Sequence, residues 1–347
     1  MTLREIVKAQ IRHEETDFVP YTFETEPDGR AALNEYYGSD AWQKELLYPL
    51  HRGPFNFDTW GVMRQTDPND PTKKTDPFGC LWTHSEKIAH LDRCAMYNVA
   101  PQDYVWPTLE DFYWPERHEL LKRWGENKPE DKFSMLNMGA GYWEHMWRLL
   151  GAEEALMITV EDPDTFDYIL DGLDNLFHQF LDVLVQSPAD AILISDDWCD
   201  QRSCMMGPER WRRHIKPRLE KLYRKMHDHG KIAINHVCGN VTPLLGDLAE
   251  IGLDVLESVQ SEAMDPYEAK RQYGDRLAFW GGFGVQYLPV QGTPDQVRAE
   301  IRRLRTEMSR GGGYILSPSK PLSSAVPAES LAAAYETFVE ENRKFHG

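Results

Sequence analysis

The chain lacks any apolar run of about 18 residues, so no segment reads as a membrane span. Residues 1–16 lack a signal-peptide pattern, because Arg4, Lys8 and Arg12 are spread along an amphipathic stretch. Both absences point to a soluble cytoplasmic protein with no membrane partner. Cysteine is sparse: Cys80, Cys94, Cys199, Cys204 and Cys238 are odd in number and irregularly spaced. That excludes a disulfide framework and suits a reducing compartment. Positive charge is also short, with 38 Lys and Arg against 56 Asp and Glu and a net charge of −18. Such a chain repels phosphate backbones, which excludes nucleic acid as a partner. No low-complexity tract or internal repeat is visible. Neither Gly281–Gly282 nor Gly311–Gly312–Gly313 matches GxGxxG or a P-loop, so a nucleotide site has no support. Those glycines read instead as tight backbone approaches and helix stops.

What is present is aromatic and regular. Eight of the eleven tryptophans precede residue 150, which suits either a Trp-rich core or an aromatic-lined pocket. Residues 3–13 read as a short amphipathic helix and 18–24 as a first strand, followed by a helix at 30–37. An irregular insertion at about 40–110 contains two hairpin strands, 57–67 and 76–83, on either side of the polar linker DPNDPTKK. From Lys132 short apolar strands alternate with longer amphipathic helices. The strands fall at 133–138, 191–195, 231–238, 253–259, 277–282 and 311–317, and Pro217 is expected to kink the helix running to His229. This alternation means βα units and a parallel sheet. Seven strands are visible from Phe18, and an eighth is expected near 96–99. The prediction is an α/β fold, a (β/α)8 TIM barrel with an N-terminal hairpin extension, as a single domain over 1–347.

In such a barrel, residues just past the strand ends converge on the active site. Here they are Glu24, Asn137, Asp196, Asp197, His236, Cys238, Glu257, Gln260, Gly282, Ser317 and Lys320. His236 and Cys238 sit two positions apart and face one side of an extended strand. The pair reads either as a buried histidine beside an inert thiol or as a clamp for zinc, whose third ligand would come from Asp197, Glu257 or Gln260. Asp196 and Asp197 read either as a turn or cap or as site carboxylates. Being adjacent they face opposite sides, so one of them, Asp197, is expected in the pocket. Cys199 and Cys204 follow no ligand spacing, and Met205 and Met206 read as packing.

These motifs together resemble a known family. SDDW, HVCGN, LDVLESVQ with MDP after it, WGG and GGGYILSPS are similar, in this order, to the uroporphyrinogen decarboxylase superfamily from about residue 133 onward. The N-terminal NEYYGSDAW and DTWGV look like the variant grouped with corrinoid-dependent methyltransferases. The resemblance implies a choice between two chemistries. The decarboxylases hold a polycarboxylate tetrapyrrole with an arginine-bearing segment near the first strand. This chain has Glu24 and Glu26 there, and like-charge repulsion disfavours that substrate. The methyltransferase branch uses a His-x-Cys zinc site similar to His236 and Cys238, and members that activate a thiol acceptor add a cysteine after the final strand. Ser317 to Pro321, SPSKP, has none, so the resemblance is to the substrate demethylases instead.

The expected function is therefore transfer of a methyl group from a small methoxylated donor, aromatic or not, to the corrinoid of a partner protein. No DxHxxG pattern occurs here, so the corrinoid cofactor belongs to that partner. His236, Asp197 and Lys320 are the expected catalytic residues. Glu24, Asn137, Tyr142, Asp196 and Gln260 are expected to bind substrate, and His236, Cys238 and Glu257 to hold zinc. A homodimer is implied by the family and by the apolar hairpin between Trp60 and Trp82. The alternatives are decarboxylation of a small acid or of a uroporphyrinogen-like substrate, and a non-catalytic ligand-binding barrel.

Overall fold

Helix α1 (Leu3–Ile11) opens on a reciprocal cap, in which Thr2 accepts from the Glu5 N–H and Glu5 reaches back to the Thr2 N–H. The computed structural model describes residues 1–57, 62–85, 89–139, 141–342 and 345. Its strands in chain order are β1 (Leu50–Arg52), β2 (Arg64–Asp67), β3 (Asp70–Thr75), β4 (Leu81–His84), β5 (Ala89–Arg93) and β6 (Phe133–Asn137). They continue as β7 (Ala191–Ser195), β8 (Ile232–His236), β9 (Val255–Val259), β10 (Ala278–Phe283) and β11 (Tyr314–Pro318). The helices after α1 are α2 (Pro27–Tyr37), α3 (Pro115–Glu126), α4 (Tyr142–Leu150), α5 (Ala152–Glu161), α6 (Pro163–Val185) and α7 (Pro208–His214). Then come α8 (Lys216–Asp228), α9 (Leu245–Glu250), α10 (Pro266–Tyr273), α11 (Leu288–Gln291), α12 (Pro294–Met308) and α13 (Ala328–Val339). None of the described helices is long and apolar enough to cross a membrane.

One curled parallel sheet of seven strands carries the fold, in the order β1-β6-β7-β8-β9-β10-β11. This is a TIM-barrel-like α/β architecture. The 18–24 stretch fills the next position beside β11, but as isolated bridges at Tyr21–Leu316 and Thr25–Leu322 rather than as a ladder. Pro20 explains part of this, because it has no N–H to donate. Residues 96–99 form no strand. The missing member is β1, which pairs with β6 from Leu50–Phe133 to Arg52–Met135. Three residues with a histidine and an arginine among them leave no apolar pattern to detect.

Alternate residues of the strands fill the barrel. Phe133, Met135, Ala191, Leu193, Ile234, Val255, Ala278, Trp280 and Ile315 form an interior cluster that Val7 and Ile11 of α1 close from below. Below it, Asp190 pins α1 to the sheet: its carboxylate takes Arg4 Nη2 at 2.7 Å, Lys8 Nζ at 2.6 Å and the Ser134 N–H at 3.0 Å. A second layer of apolar residues lies between the strands and the helices, and α6 alone buries ten side chains along one stripe.

The insertion differs from expectation. It is a four-stranded antiparallel sheet, β2-β3-β4-β5, and the supposed linker supplies most of β3. Of the first expected hairpin strand, residues 58–61, including Trp60, lie outside the described residues. The sheet is anchored at its base, where buried Asp76 accepts from the Cys80 N–H at 3.0 Å and from Trp82 Nε1 at 2.8 Å. The Met96 N–H, donating to Leu149 O, then ties the connection to the end of α4. At Pro217 the expected kink is a break, with α7 ending at His214 and α8 beginning at Lys216.

A candidate metal centre at the barrel mouth

Three consecutive strands end at staggered heights, and main-chain bonds fix the stagger. The Asp196 N–H donates to His236 O at 3.0 Å, and the Val237 N–H to Glu257 O at 3.2 Å. His236 continues the inward row of Ile234, and Glu257 that of Val255, so both side chains rise from the apolar interior. They meet in a short hydrogen bond between His236 Nδ1 and Glu257 Oε2. That contact commits Nδ1 and leaves Nε2 facing the mouth. Around Nε2 stand Cys238 Sγ at 3.3 Å, Asp197 Oδ1 at 3.8 Å and Lys320 Nζ at 3.4 Å.

The loops carrying these groups are clasped together. Asp197 Oδ1 accepts the Cys238 N–H at 2.8 Å, the Gly239 N–H donates to Gln260 Oε1 at 3.1 Å, and the Asn240 N–H donates to Asp200 O at 2.7 Å. Gly239 adopts φ 85°, and a Cβ there would lie 2.3 Å from Asp200 O, so only glycine lets the loops close. Ser258 sits in the left-handed region at φ 71° without being glycine, a strain of about 1–3 kcal/mol of the kind found at functional sites. Its hydroxyl donates to Ser319 O at 2.7 Å and lies 3.9 Å from Cys238 Sγ, linking the ends of β9 and β11.

Charge is concentrated and mutually compensated. Burial disfavours the His236 imidazolium, but the charge and hydrogen bond of Glu257, with Cys238, hold the ring's pKa well above its ordinary value. Burial pushes Glu257 up, and His236, Arg52 and Lys320 together pull it below the carboxylate range. Lys320 loses hydration, yet Cys238, Asp197 and Glu257 raise its pKa.

The donor set suits a divalent metal. Asp197, His236 and Cys238 offer one ligand atom each, all within 4.8 Å of one another. Tetrahedral zinc with legs of about 2.0–2.3 Å places its ligands about 3.3–3.8 Å apart, which spans the 3.3 Å and 3.8 Å separations around His236 Nε2. A nitrogen, a sulfur and an oxygen donor, with a carboxylate behind the imidazole, form a zinc-type combination. Lys320 is an exposed residue on a long flexible stem, so its ammonium can shift aside for a bound cation while staying at the mouth.

The remaining expected residues divide sharply. Glu257 lies against Nδ1, so it supports the histidine, and Asp197 completes the donor triad instead. Asp196 is 1% exposed and faces away from the mouth. It accepts the Trp143 and Glu144 N–H groups at 2.9 Å each and Trp198 Nε1 at 2.5 Å, which makes it the cap of α4 rather than a substrate group. Burial and nearby Glu144 push that carboxyl up to about 8. Tyr142 is fully buried behind the sheet, its hydroxyl donating to Asp174 at 2.5 Å, so it cannot line the mouth. Gln260 is buried and spends its carbonyl oxygen on the loop clasp. Asn137 lines a cavity at the mouth beside Arg52, and Glu24 meets Arg52 Nη2 at 2.5 Å. Arg52 was invisible in the sequence because the strand bearing it was. Ser258 could be found only through its backbone, which composition does not reveal.

Residues 130–340 match the family model described as "Uroporphyrinogen decarboxylase (URO-D)". A methylcobamide:CoM methyltransferase MtaA from Methanosarcina barkeri is 25% identical over 185 residues, 53% of this chain and 52% of that protein. A uroporphyrinogen decarboxylase from Neisseria meningitidis is also 25% identical over 185 residues, 53% of this chain and 51% of its own. The match thus spans about half the length of these curated relatives. The solved structure of a methyltransferase from Methanosarcina mazei superposes over 100% of both chains with a TM-score of 0.71 at 19% identity, which supports the barrel. With the model covering more than half of its length, the chain belongs to the uroporphyrinogen decarboxylase family.

Proposed function

We propose that the protein is a corrinoid-linked methyltransferase. In this reading it takes a methyl group from a small methoxylated donor in the barrel mouth and passes it to the reduced corrinoid of a separate partner protein. The observation that carries the reading is the Asp197, His236 and Cys238 triad at the strand ends, with Glu257 on the far side of the imidazole. Zinc held there would supply a Lewis acid to the oxygen from which the methyl departs.

The chain's own groups take the other roles. Glu257 keeps His236 in the tautomer that presents Nε2. Lys320, beside Nε2 and protonated, supplies the proton that the departing oxygen takes up as its bond to carbon breaks. The apolar barrel below the triad excludes water from the reacting groups. Incubating the purified protein with a cobalt(I) corrinoid protein and a panel of methoxyarenes tests this reading. Methyl-cobalt absorbance should appear with some donors and vanish in His236→Ala together with bound zinc. No methyl-cobalt signal across the panel, in protein that contains no zinc, would refute it.

Decarboxylation of a small acid is the second reading, favoured by the Arg52 and Lys320 cations near Glu257. It predicts carbon dioxide release with neither metal nor corrinoid added.

A further inference from the structure

β1 carries a cation into the barrel mouth that the proposed chemistry leaves unused. Arg52 shares a strand face with Leu50, which packs on the barrel interior. Its guanidinium lies 5.7 Å from the ring centroid of Trp280, itself an interior residue. One bond, Nη2 to Glu24 Oε1 at 2.5 Å, ties it to the segment beside β11. A guanidinium has five N–H donors in a fixed fork, so the pairing leaves most of them facing open space.

That space is a pair of cavities meeting at Arg52. The smaller, about 270 Å³, runs past Phe55 and Asn56 to Asn137. The larger, about 400 Å³, is lined by Glu24, Arg30, Trp42, Tyr48 and Pro321 as well as Arg52. Pro321, in the lining of the larger cavity, is next in the chain to Lys320, and Arg52 lies close enough to Glu257 to act on its charge. Its volume is that of a small-molecule site, with Trp42 and Phe23 as an apolar wall. Arg30 and Arg52 against Glu24 leave a single net positive charge in it. That balance suits one carboxylate and not several.

We propose that Arg52, backed by Arg30, is an anion subsite, and that the molecule taken into the mouth is an aromatic monocarboxylate whose methyl-bearing end reaches the triad. The second half rests on the methyltransferase reading; the subsite itself does not. The stack on Trp280 and the bond to Glu24 hold the guanidinium in place before a ligand arrives, and an incoming carboxylate takes the remaining donors of the fork. Glu24 then acts as a brake on affinity.

Calorimetric titration of the full chain with para-methoxybenzoate and with its neutral isostere para-methoxybenzamide tests this without turnover. The benzoate should bind about tenfold tighter or more, as expected for a charge-assisted pair. Arg52→Met should bring the benzoate down to the level of the amide and leave the amide unchanged. Glu24→Gln should tighten the benzoate severalfold, a gain that misfolding cannot produce. Equal affinity for the two ligands, an Arg52→Met variant that still prefers the benzoate, or no benzoate binding at all would overturn the proposal. Benzoate binding without methyl-cobalt formation would sink the methyltransferase reading alone.

Discussion

Glu257→Gln separates a supporting carboxylate from a metal ligand. Glutamine keeps the shape of the side chain beside His236 Nδ1 but removes the charge that fixes the ring. Nε2 remains in place, so a bound zinc would keep its three donors and lose only their orientation. Loss of such an outer partner typically weakens metal binding about tenfold to a hundredfold, or about 1.4–2.7 kcal/mol. The upper half of that range is expected, because Glu257 also compensates Arg52 and Lys320. Without it those cations oppose a divalent ion. Zinc competition against a chelator of known affinity, backed by elemental analysis, reads the shift directly. Asp197→Asn and Cys238→Ser, which remove donors, should lose zinc altogether under the same conditions. Wild-type affinity in Glu257→Gln would mean the carboxylate does not support the ring. Complete loss, with zinc retained in Asp197→Asn, would mean that Glu257 is the third ligand and the division of roles drawn above is reversed.

Asp196→Ala and Asp197→Ala should fail in opposite ways. The first strips three donors of their acceptor and should cost about 2–4 kcal/mol in urea denaturation while the folded protein still binds added zinc; the second should lose zinc binding at a smaller cost, about 1 kcal/mol for the one Cys238 N–H bond. Asp190→Asn should cost about 2–4 kcal/mol at pH 7, somewhat less than a fully buried pair because Arg4 and Lys8 reach solvent. Burial pushes the Asp190 carboxyl up, but Arg4, Lys8 and the Ser134 N–H outweigh it and hold its pKa well below the ordinary value. Its stabilisation is therefore present above about pH 4 and is lost as pH falls below that. The gap between wild type and variant should shrink progressively as pH falls below about 4, and a gap as large at pH 2 as at pH 7 would count against the ion pairs. Gly239→Ala should destabilise by more than about 1 kcal/mol and weaken zinc binding as well, because a Cβ at φ 85° meets Asp200 O.

Periodicity made most of the fold legible. From Phe133 onward every expected strand is present, because apolar residues on both faces of a parallel strand leave a continuous run, as in Ala191–Ser195. The failures have physical causes. β1 is three residues long, and its stability comes from pairing with β6 rather than from its own composition. β3 is DPTKKT, polar because its sheet stands outside the barrel and buries little. The site was legible as a set of strand ends, since His236, Cys238 and Asp197 all lie there. Its internal roles were not, because side chains of one type at adjacent positions differ only in which way they point. Tyr142 shows the limit most clearly: it sits just past a strand end, but α4 has already turned its ring behind the sheet.

The geometry of the triad depends more on backbone than on side-chain packing. Asp197 and Cys238 belong to different βα loops, yet the Cys238 N–H bonds the Asp197 carboxylate, and the Asn240 N–H bonds Asp200 O. Gln260, from a third loop, holds the Gly239 N–H. Each contact spans the gap between neighbouring strand ends, so main-chain N–H groups placed by the sheet fix how far apart the loops carrying the two donors stand. Asp196 extends the same logic outward: it fixes the start of α4 while its chain neighbour faces the mouth. A buried carboxylate that positions and a half-buried one that can ligate therefore follow from one alternation of the chain. A site built this way can change its reacting groups without losing the frame that presents them.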